Sequence, residues 1–518
     1  MSPSEPQRQS ALRLFNTRTH RIEPFAPLKG GEVRVYVCGL TPSAEAHLGH
    51  ARSFMFFDVL RRYLVHLGYR VTFVQNVTDI DDRSIAAARE SGGDWRAIVE
   101  GYFQSFKRSM RRLHVLEPDH EPRATEFITE IQTMIGQLIA AGHAYVVGDG
   151  VYFRVKSFAR YGALSGRKVD ELLVGARIAP DEHKDDPLDF ALWKFAKPDE
   201  PSWPSPWGPG RPGWHIECSA MSRALLGEPF DIHGGGYDLV FPHHENEVAQ
   251  SESLMAAPPM ANFWVHGGLL QFAGRKMSKS LGNFEPLFEL LDRHDPQALR
   301  MLFVQTGYRK PMNLTEESVD GATAGLARLL AAYDLLREAP PGSHAASPDV
   351  VARYSERFYA ALDDDMNTAG ALSVLFDLAS AATELVASGG ASRAAAFLHE
   401  AMALLGISPA ERSHQPVSLA TAETAVTIGD ARVAISAPAD AADRLPANVV
   451  ARLRADVGSL VDLDDDPVRA VNAVVEARLR AKASKDFGLA DRFRDALRAI
   501  GVTLTDKKEG ASWTVAGG

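Results

Sequence analysis

The sequence predicts an α/β protein: a doubly wound parallel sheet with an insertion, followed by a mainly α-helical region. Three observations support this fold class. A strand–helix–strand pattern occupies residues 33–78, the alternation of strands and helices continues to about residue 270, and the chain beyond about residue 312 is rich in alanine and leucine at helical spacing. The chain has 518 residues, 45% of them hydrophobic, so it can bury a large core and form more than one domain.

The first strand–helix–strand unit determines the topology. Every second residue from 33 to 37 is valine, as in a strand, and apolar residues recur at helical spacing over 54–64. A β-rich run follows at 70–78. Because the crossover between two such strands of one sheet is right-handed, the two strands are parallel. This unit therefore starts a Rossmann-like sheet.

An insertion into this sheet is expected at about 115–205. Helical patterns cover 95–116 and 123–141, and a hairpin pattern at 144–154 turns at a Gly-Asp-Gly sequence. Five prolines and three glycines then crowd residues 201–213, which predicts no regular structure there. The α/β pattern resumes with helix 214–226, strand 230–232, helix 243–256 and strand 263–270.

These patterns divide the chain into four regions. The α/β domain occupies 1–310, a helical region 311–407 and a C-terminal region 448–518. The Ala/Pro/Ser-rich stretch 408–447 is either a linker or a small insertion, and it contains a hairpin pattern at 426–436.

Composition excludes several classes of protein. With 56 basic and 66 acidic residues the net charge is -10, which argues against a surface built as a whole to coat nucleic acid or an anionic membrane. Two cysteines in a chain of this length provide no disulfide framework and indicate a reducing compartment. The N-terminus has no apolar signal segment, and no apolar run is long enough to span a membrane. We therefore expect a cytoplasmic protein without a membrane partner.

A first candidate site is the sequence His47-Leu48-Gly49-His50, between the first strand and its helix. Parallel sheets bind ligands at this edge, and the helix N-terminus offers unpaired N–H groups. Gly49 lets a nucleotide approach the backbone, and the two imidazoles can donate to phosphate oxygens. The alternative is a pair of surface histidines near a helix cap.

A second candidate site is Lys276-Met277-Ser278-Lys279-Ser280, in a loop flanked by glycines. Lysines of a mobile loop can reach nucleotide phosphates and neutralise the charge that develops as pyrophosphate leaves. Two neighbouring lysines more commonly form a solvated basic loop. Pairing this loop with the histidine cluster favours the phosphate-binding interpretation.

A third cluster combines Cys38 and Cys218 with His243 and Glu247, which lie four residues apart on one helical face. Two thiolates, an imidazole and a carboxylate form a plausible zinc ligand set. Spacing alone favours the alternative, in which the cysteines are small buried hydrophobic residues. Asp238, which follows three glycines, is placed either to accept hydrogen bonds from ribose hydroxyls or to form a simple turn.

The HLGH and KMSKS sequences, about 225 residues apart, resemble the paired signatures of class I aminoacyl-tRNA synthetases. Within that class the chain is similar to the cysteinyl-tRNA synthetase family over nearly its whole length. The segments that carry this similarity are VYVCG (35–39), QNVTDIDD (75–82), GWHIECSAM (213–221), GGGYDLVFPHHENE (234–247) and SKDFGLADRFRDAL (484–497). Pro42-Ser43-Ala44 departs from the Val-Tyr-Asp of many members, so a contact made there by the tyrosine is not expected.

The resemblance assigns a role to each candidate residue. Cys38, Cys218, His243 and Glu247 fall on the family's zinc ligands, with one zinc per chain. The other positions comprise the ATP-phosphate residues His47 and His50, the loop lysines Lys276 and Lys279, the ATP-site residues Gly49 and Asp238, and the amino-acid pocket residues Thr78, Trp214 and His233. The metal thus becomes the preferred interpretation of the two cysteines.

The implied activity is the formation of cysteinyl-adenylate from L-cysteine and ATP, with Mg²⁺, and transfer of cysteine to the 3′ end of tRNA(Cys). Residues 1–310 would then form the catalytic domain, 311–407 the stem-contact and helical-bundle region, and 448–518 the anticodon-binding region of a monomer. One alternative is a related ligase that joins cysteine to an amino sugar, although such enzymes lack the long C-terminal region. Another is a non-catalytic, zinc-stabilised RNA-binding protein, which would be expected to have lost the histidines or lysines.

Overall fold

The computed structural model describes two compact units, residues 1–412 and 413–518. Its described residues are 11–91, 93–168, 184–268, 270–272, 275–276, 286–340, 348–409, 422–428, 431–437, 445, 449–458, 460–461, 467–484, 486–507 and 510–515. Within these ranges, no helix combines the length and the apolar composition needed to cross a bilayer.

The described strands of the first unit are, in chain order, β1 (Arg13–Asn16), β2 (Arg21–Pro24), β3 (Glu32–Leu40), β4 (Arg70–Val77), β5 (Ala144–Val147), β6 (Gly150–Phe153), β7 (Phe190–Phe195), β8 (Gly210–Pro212), β9 (Phe230–Gly236), β10 (Ala261–Gly267), β11 (Leu270–Phe272), β12 (Arg275–Lys276) and β13 (Met312–Leu314). Its described helices are α1 (Leu48–His66), α2 (Asp82–Ser91), α3 (Trp95–Arg112), α4 (Ile128–Ala140), α5 (Trp214–Leu226), α6 (Glu245–Glu252), α7 (Leu287–Arg293), α8 (Pro296–Val304), α9 (Glu316–Glu338), α10 (Pro348–Asp363), α11 (Thr368–Ser380), α12 (Ala382–Ala387) and α13 (Ala391–Leu404).

The central sheet of this unit is parallel, with the order β10–β9–β3–β4 among the described strands. Helix α1 connects β3 to β4, as the strand–helix–strand pattern predicted. The predicted α/β class is therefore confirmed. The carboxyl ends of β3, β4 and β9 meet at one edge of the sheet, and this edge positions the candidate site.

A second, antiparallel sheet has the order β5–β6–β7–β8; its first three strands lie in the part of the chain predicted to be inserted, and β8 lies just beyond it. The predicted hairpin at 144–154 is present as β5 and β6. The prediction of no regular structure over 201–213 was wrong, because β8 pairs with β7. An edge strand tolerates proline, and Gly210 fits there because a Cβ atom would lie 2.2 Å from the carbonyl oxygen of Lys194.

Helices α9 to α13 form the helical part of the first unit, in agreement with the helical pattern beyond residue 312. Their buried side chains belong to the same hydrophobic core as the apolar face of α1. A separate core in this unit packs the insertion sheet against α4 and α5 and includes Cys38 and Cys218. The candidate site thus lies beside a rigid, well-packed core.

The second unit contains β14 (Ala422–Ile428), β15 (Ala431–Ala437), α14 (Val449–Val457), α15 (Pro467–Ala483), α16 (Phe487–Ala499), β16 (Val502–Lys507) and β17 (Gly510–Val515). The described strands pair in the order β14–β15–β17–β16. The hairpin interpretation of 426–436 is confirmed, since β14 and β15 are antiparallel. The sequence analysis missed β16 and β17, so the unit is mixed α/β within a C-terminal half that is otherwise mainly helical.

Candidate active site and metal centre

Four buried side chains form a cluster with the geometry of a metal centre. Cys38, His243, His244 and Glu247 each offer one ligand atom, and these atoms all lie within 4.8 Å of one another. Cys38 lies near the end of strand β3, and Glu247 lies in the first turn of α6, which begins directly after the two histidines. Thiolate, imidazole and carboxylate ligands together suit zinc among the divalent ions.

Cys218 lies beside this cluster and competes with His244 for the fourth ligand position. Its Sγ is 3.6 Å from that of Cys38. Two sulfurs on one tetrahedral zinc lie about 3.8 Å apart, given Zn–S bonds of about 2.3 Å. Cys38 Sγ is also 3.4 Å from Oε1 of Glu247, which is 3.0 Å from Nε2 of His243. Contacts of 3.0 to 3.6 Å thus link Cys38 to Cys218 and to Glu247, and Glu247 to His243.

His244 also contacts a histidine outside this cluster. Its Nδ1 lies 2.7 Å from Nε2 of His266, whose Nδ1 lies 2.8 Å from Oγ1 of Thr17. Its Nε2 lies 3.2 Å from Cys38 Sγ, so this nitrogen either binds the metal itself or donates a hydrogen bond to the sulfur. The sequence analysis missed His244, although it stands three residues before Glu247 on the same helical face.

Without a metal, protons and an imidazolium balance the negative charge of this cluster. Burial lowers the pKa of His243, but the charges of Glu247 and Cys218 outweigh this and raise it to about 10. Burial raises the pKa of Glu247, but His233 and His243 lower it to about 2. Burial also raises the pKa of Cys218, yet the Cys38 hydrogen bond and the charge of His243 lower it to about 6. Burial, with the Cys218 and Glu247 contacts, raises the pKa of Cys38, so a bound cation would have to displace protons from Cys38 and His243.

The predicted amino-acid pocket residues surround this cluster. His233 is fully buried, and its Nε2 lies 2.9 Å from Oε2 of Glu247. The ring of Trp214 lies 4.3 Å from that of His243 and is 42% exposed, so it covers the cluster from the solvent side. Thr78 is buried next to Glu217, the chain neighbour of Cys218. The structure therefore brings the pocket residues and the metal cluster together.

A cavity of about 510 Å³ opens beside Trp214. It lies between the insertion sheet, which contributes Tyr152 and Lys194, and the end of β3, which contributes Thr41. His215 also lines it and stands next to the cluster, with its Nδ1 2.9 Å from Nδ1 of His243. Its volume is in the range of small-molecule sites.

The HLGH sequence caps the N-terminus of α1. Nδ1 of His47 accepts a hydrogen bond from the Gly49 N–H at 3.0 Å, and Nδ1 of His50 accepts one from the His47 N–H at 3.2 Å. Because each Nδ1 is an acceptor, each neutral ring carries its proton on Nε2. Burial, and secondarily His47, lowers the pKa of His50 to about 3, so this ring is neutral at physiological pH.

Glycine is required at position 49, because a Cβ atom there would lie 2.8 Å from Cε1 of His47. The two rings stack with centroids 3.8 Å apart. Two Nε2–H donors at a helix N-terminus suit the binding of an anion.

Asp238 lies exposed after β9, in the turn Tyr237–Leu239 at the same sheet edge as the histidines. Strand β12 includes the backbone of Lys276 and pairs with β11. Lys279 and the rest of the KMSKS loop lie outside the described residues, so the predicted contacts of the two lysines stay predictions.

Comparison with known proteins identifies the family of this chain. Residues 24–324 match the family model of the class I (C) tRNA synthetase catalytic domain, and residues 357–408 match the DALR domain. The chain is 45% identical over 508 residues to the cysteine–tRNA ligase of Pseudomonas aeruginosa, which covers 98% of this chain and 100% of that protein. It is also 45% identical over 506 residues to the cysteine–tRNA ligase of Halorhodospira halophila, covering 97% of this chain and 99% of that protein.

Among solved structures, the Mycobacterium tuberculosis methionyl-tRNA synthetase in complex with methionyl-adenylate has a TM-score of 0.56 at 17% sequence identity. The match covers 74% of this chain and 95% of that chain, and at this identity it supports the fold alone. The family-model match and the near full-length identity together show that this chain belongs to the cysteine–tRNA ligase family of class I tRNA synthetases.

Proposed function

We propose that this protein activates L-cysteine with ATP and transfers the cysteine to the 3′ end of tRNA(Cys). The observation that carries the proposal is the buried thiol, imidazole and carboxylate cluster at the sheet edge where α1 begins with HLGH. The family membership supports the same activity. The reaction has two steps: attack of the cysteine carboxylate on the α-phosphate, with release of pyrophosphate, and then transfer from the adenylate.

The metal we assign to the cluster is zinc, held by Cys38, Cys218, His243 and Glu247. The spacing of the two sulfurs supports this set, and in it His244 donates through Nε2 to the sulfur of Cys38 and is held by His266 at Nδ1. Zinc would bind a substrate thiolate strongly and a serine hydroxyl weakly. His233 orients Glu247, and Trp214 shields the pocket from water.

The ATP phosphates are assigned to the N-terminus of α1. His47 and His50 donate through Nε2, and their capping bonds hold both rings before ATP arrives. Lys276 and Lys279 neutralise the charge that grows as pyrophosphate leaves, with Mg²⁺ accompanying ATP. Asp238, exposed at the same edge, is assigned to the ribose hydroxyls.

The second unit is assigned to the tRNA. Residues 477–498 carry seven Arg or Lys residues against three Asp residues, a local basic excess in a chain of net charge -10. The cavity beside Trp214 adjoins the metal cluster and supplies space for the acceptor end.

Cysteine-dependent ATP–pyrophosphate exchange, followed by charging of tRNA(Cys), tests this proposal. We expect both activities from the purified protein. Exchange without charging of tRNA, but with transfer to an amino sugar, would instead support the related ligase. The absence of exchange from the zinc-loaded, folded protein would refute the proposal.

A further inference from the structure

A contact not predicted from the sequence links the HLGH helix to the residues that lead into strand β13, which pairs with the strand before the KMSKS loop. Arg52 lies in the second turn of α1, two residues after His50, and is only 5% exposed. Its guanidinium donates to the backbone carbonyl oxygen of Lys310 and lies 3.5 Å from that of Tyr308. Burying a guanidinium is costly, so a side chain placed this way requires its carbonyl partners.

The segment 308–310 that Arg52 binds leads directly into the strand that supports the KMSKS loop. Strand β13 begins two residues later and pairs in parallel with β11, which pairs with β12 and thus with Lys276. The carbonyl oxygen of Tyr308 also accepts a hydrogen bond from the Gly268 N–H at 2.6 Å, just before β11. A Cβ atom at Gly268 would lie 2.6 Å from the carbonyl oxygen of Arg309, so the two segments approach closely.

A second side chain on the same face of α1 strengthens this contact. Phe56 stands one turn after Arg52, and its ring stacks on that of Tyr308 with centroids 3.9 Å apart and planes 10° apart. Residues four apart on a helix share a face, so Arg52 and Phe56 both contact the segment 308–310.

The far end of the loop is also attached to the HLGH region. The Leu287 N–H donates to the carbonyl oxygen of Ala46 at 2.8 Å, and Pro286 forms a bridge with His47. Described residues on both sides of the KMSKS loop are therefore linked to α1: Leu287 bonds directly to Ala46, just before its start, and Gly268 is linked to its second turn through Tyr308.

From this arrangement we infer that Arg52 is a positioning residue for ATP activation. It sets the distance between the HLGH donors and the strand that leads to the KMSKS lysines, and so it aligns the two groups that hold the phosphates. This inference rests on the proposed function. Because a displacement of about 1 Å can lower a rate about 100-fold, a lost link should reduce activation without removing any group that touches a substrate.

The test compares R52Q with R52K and with R62Q as a matched control. Arg62 lies on the same helix, pairs with the buried Asp58 at 2.8 Å and donates to the carbonyl oxygens of His114 and Ala403, away from the KMSKS strand. Cysteine-dependent pyrophosphate exchange gives kcat and the KM values for ATP and cysteine, and a thermal melt measures folding. We expect R52Q to lower kcat/KM for ATP by about 10- to 100-fold, while the KM for cysteine changes less than about 2-fold.

R52K keeps a charged donor and should recover part of this loss, whereas R62Q should behave as the wild type. If R52Q fails to fold, F56L serves as the second variant, with a smaller loss confined to the ATP parameters. The inference would be overturned if R52Q had the same ATP parameters as R62Q. It would also be overturned if R52K and F56L both had the ATP parameters of the wild type. An inactive wild-type protein would instead overturn the proposed function.

Discussion

Two substitutions at the metal centre, C218S and H244Q, decide which residue completes the ligand set. In the proposed set Cys218 binds the ion directly, because its sulfur lies 3.6 Å from that of Cys38. In the same set His244 bonds to His266 through Nδ1 at 2.7 Å and donates through Nε2 to the sulfur of Cys38, 3.2 Å away. Outer ligands of this kind contribute about 10- to 100-fold to metal affinity, which corresponds to about 1.4 to 2.8 kcal/mol.

We therefore expect H244Q to keep its zinc with an affinity lower by about 10- to 100-fold. C218S should lose more than this range, because a hydroxyl is a poor ligand for zinc compared with a thiolate. Zinc content after dialysis and competition with a chelator measure both effects. S222A provides a control for folding, since Ser222 lies one turn further along α5 and its hydroxyl donates to the carbonyl oxygen of Ser219 in the same helix.

The opposite order, with H244Q free of zinc and C218S fully loaded, would refute the assignment of Cys218. The ligand set would then be Cys38, His243, His244 and Glu247, the four side chains whose ligand atoms lie within 4.8 Å of one another.

Three further predictions concern other parts of the molecule. K279A should slow adenylate formation in single-turnover assays far more than it weakens cysteine binding, and a change confined to the KM for cysteine would contradict this role. Because the folded-state pKa of His50 is about 3 and an exposed imidazole titrates near about 6.5, the unfolded chain gains a proton first as the pH falls. The stability advantage of wild type over H50Q in urea should therefore shrink between about pH 7.5 and about pH 5, and an unchanged difference would contradict this. A chain ending at residue 412, checked for folding by circular dichroism, should retain pyrophosphate exchange but charge tRNA weakly and with a shallower salt dependence, whereas full charging would refute the assignment of the second unit.

The parallel sheet and the HLGH cap were predictable because each depends on local sequence. The valines of 33–37 and the apolar helix after them leave few alternatives for a right-handed crossover. The need for a small residue at position 49 follows from its place at a helix N-terminus. The structure adds that the His47 ring lies close to where a Cβ atom of residue 49 would be.

The missed features depend on contacts between residues distant in sequence. Strand β8 exists because Gly210 fits against β7, and proline-rich composition hides such pairing. His244 and His266 meet across 22 residues, so no local spacing reveals the bond. Arg52 contacts backbone carbonyls 256 and 258 residues away. Because every residue has a backbone carbonyl, the residue types at those positions do not reveal the contact.

The central claim is that the enzyme selects cysteine because the bound metal binds the thiolate of the substrate. The ratio of kcat/KM for cysteine to kcat/KM for serine in pyrophosphate exchange tests it most directly. Shape alone gives about 1 to 3 kcal/mol for a difference as small as one methylene, or about 10- to 200-fold. A metal–sulfur bond should raise the ratio to about 10⁴ or more, which requires about 5.5 kcal/mol. The account predicts this ratio for the zinc-loaded protein and its collapse in C218S, and a ratio below about 200 in the zinc-loaded protein would contradict it.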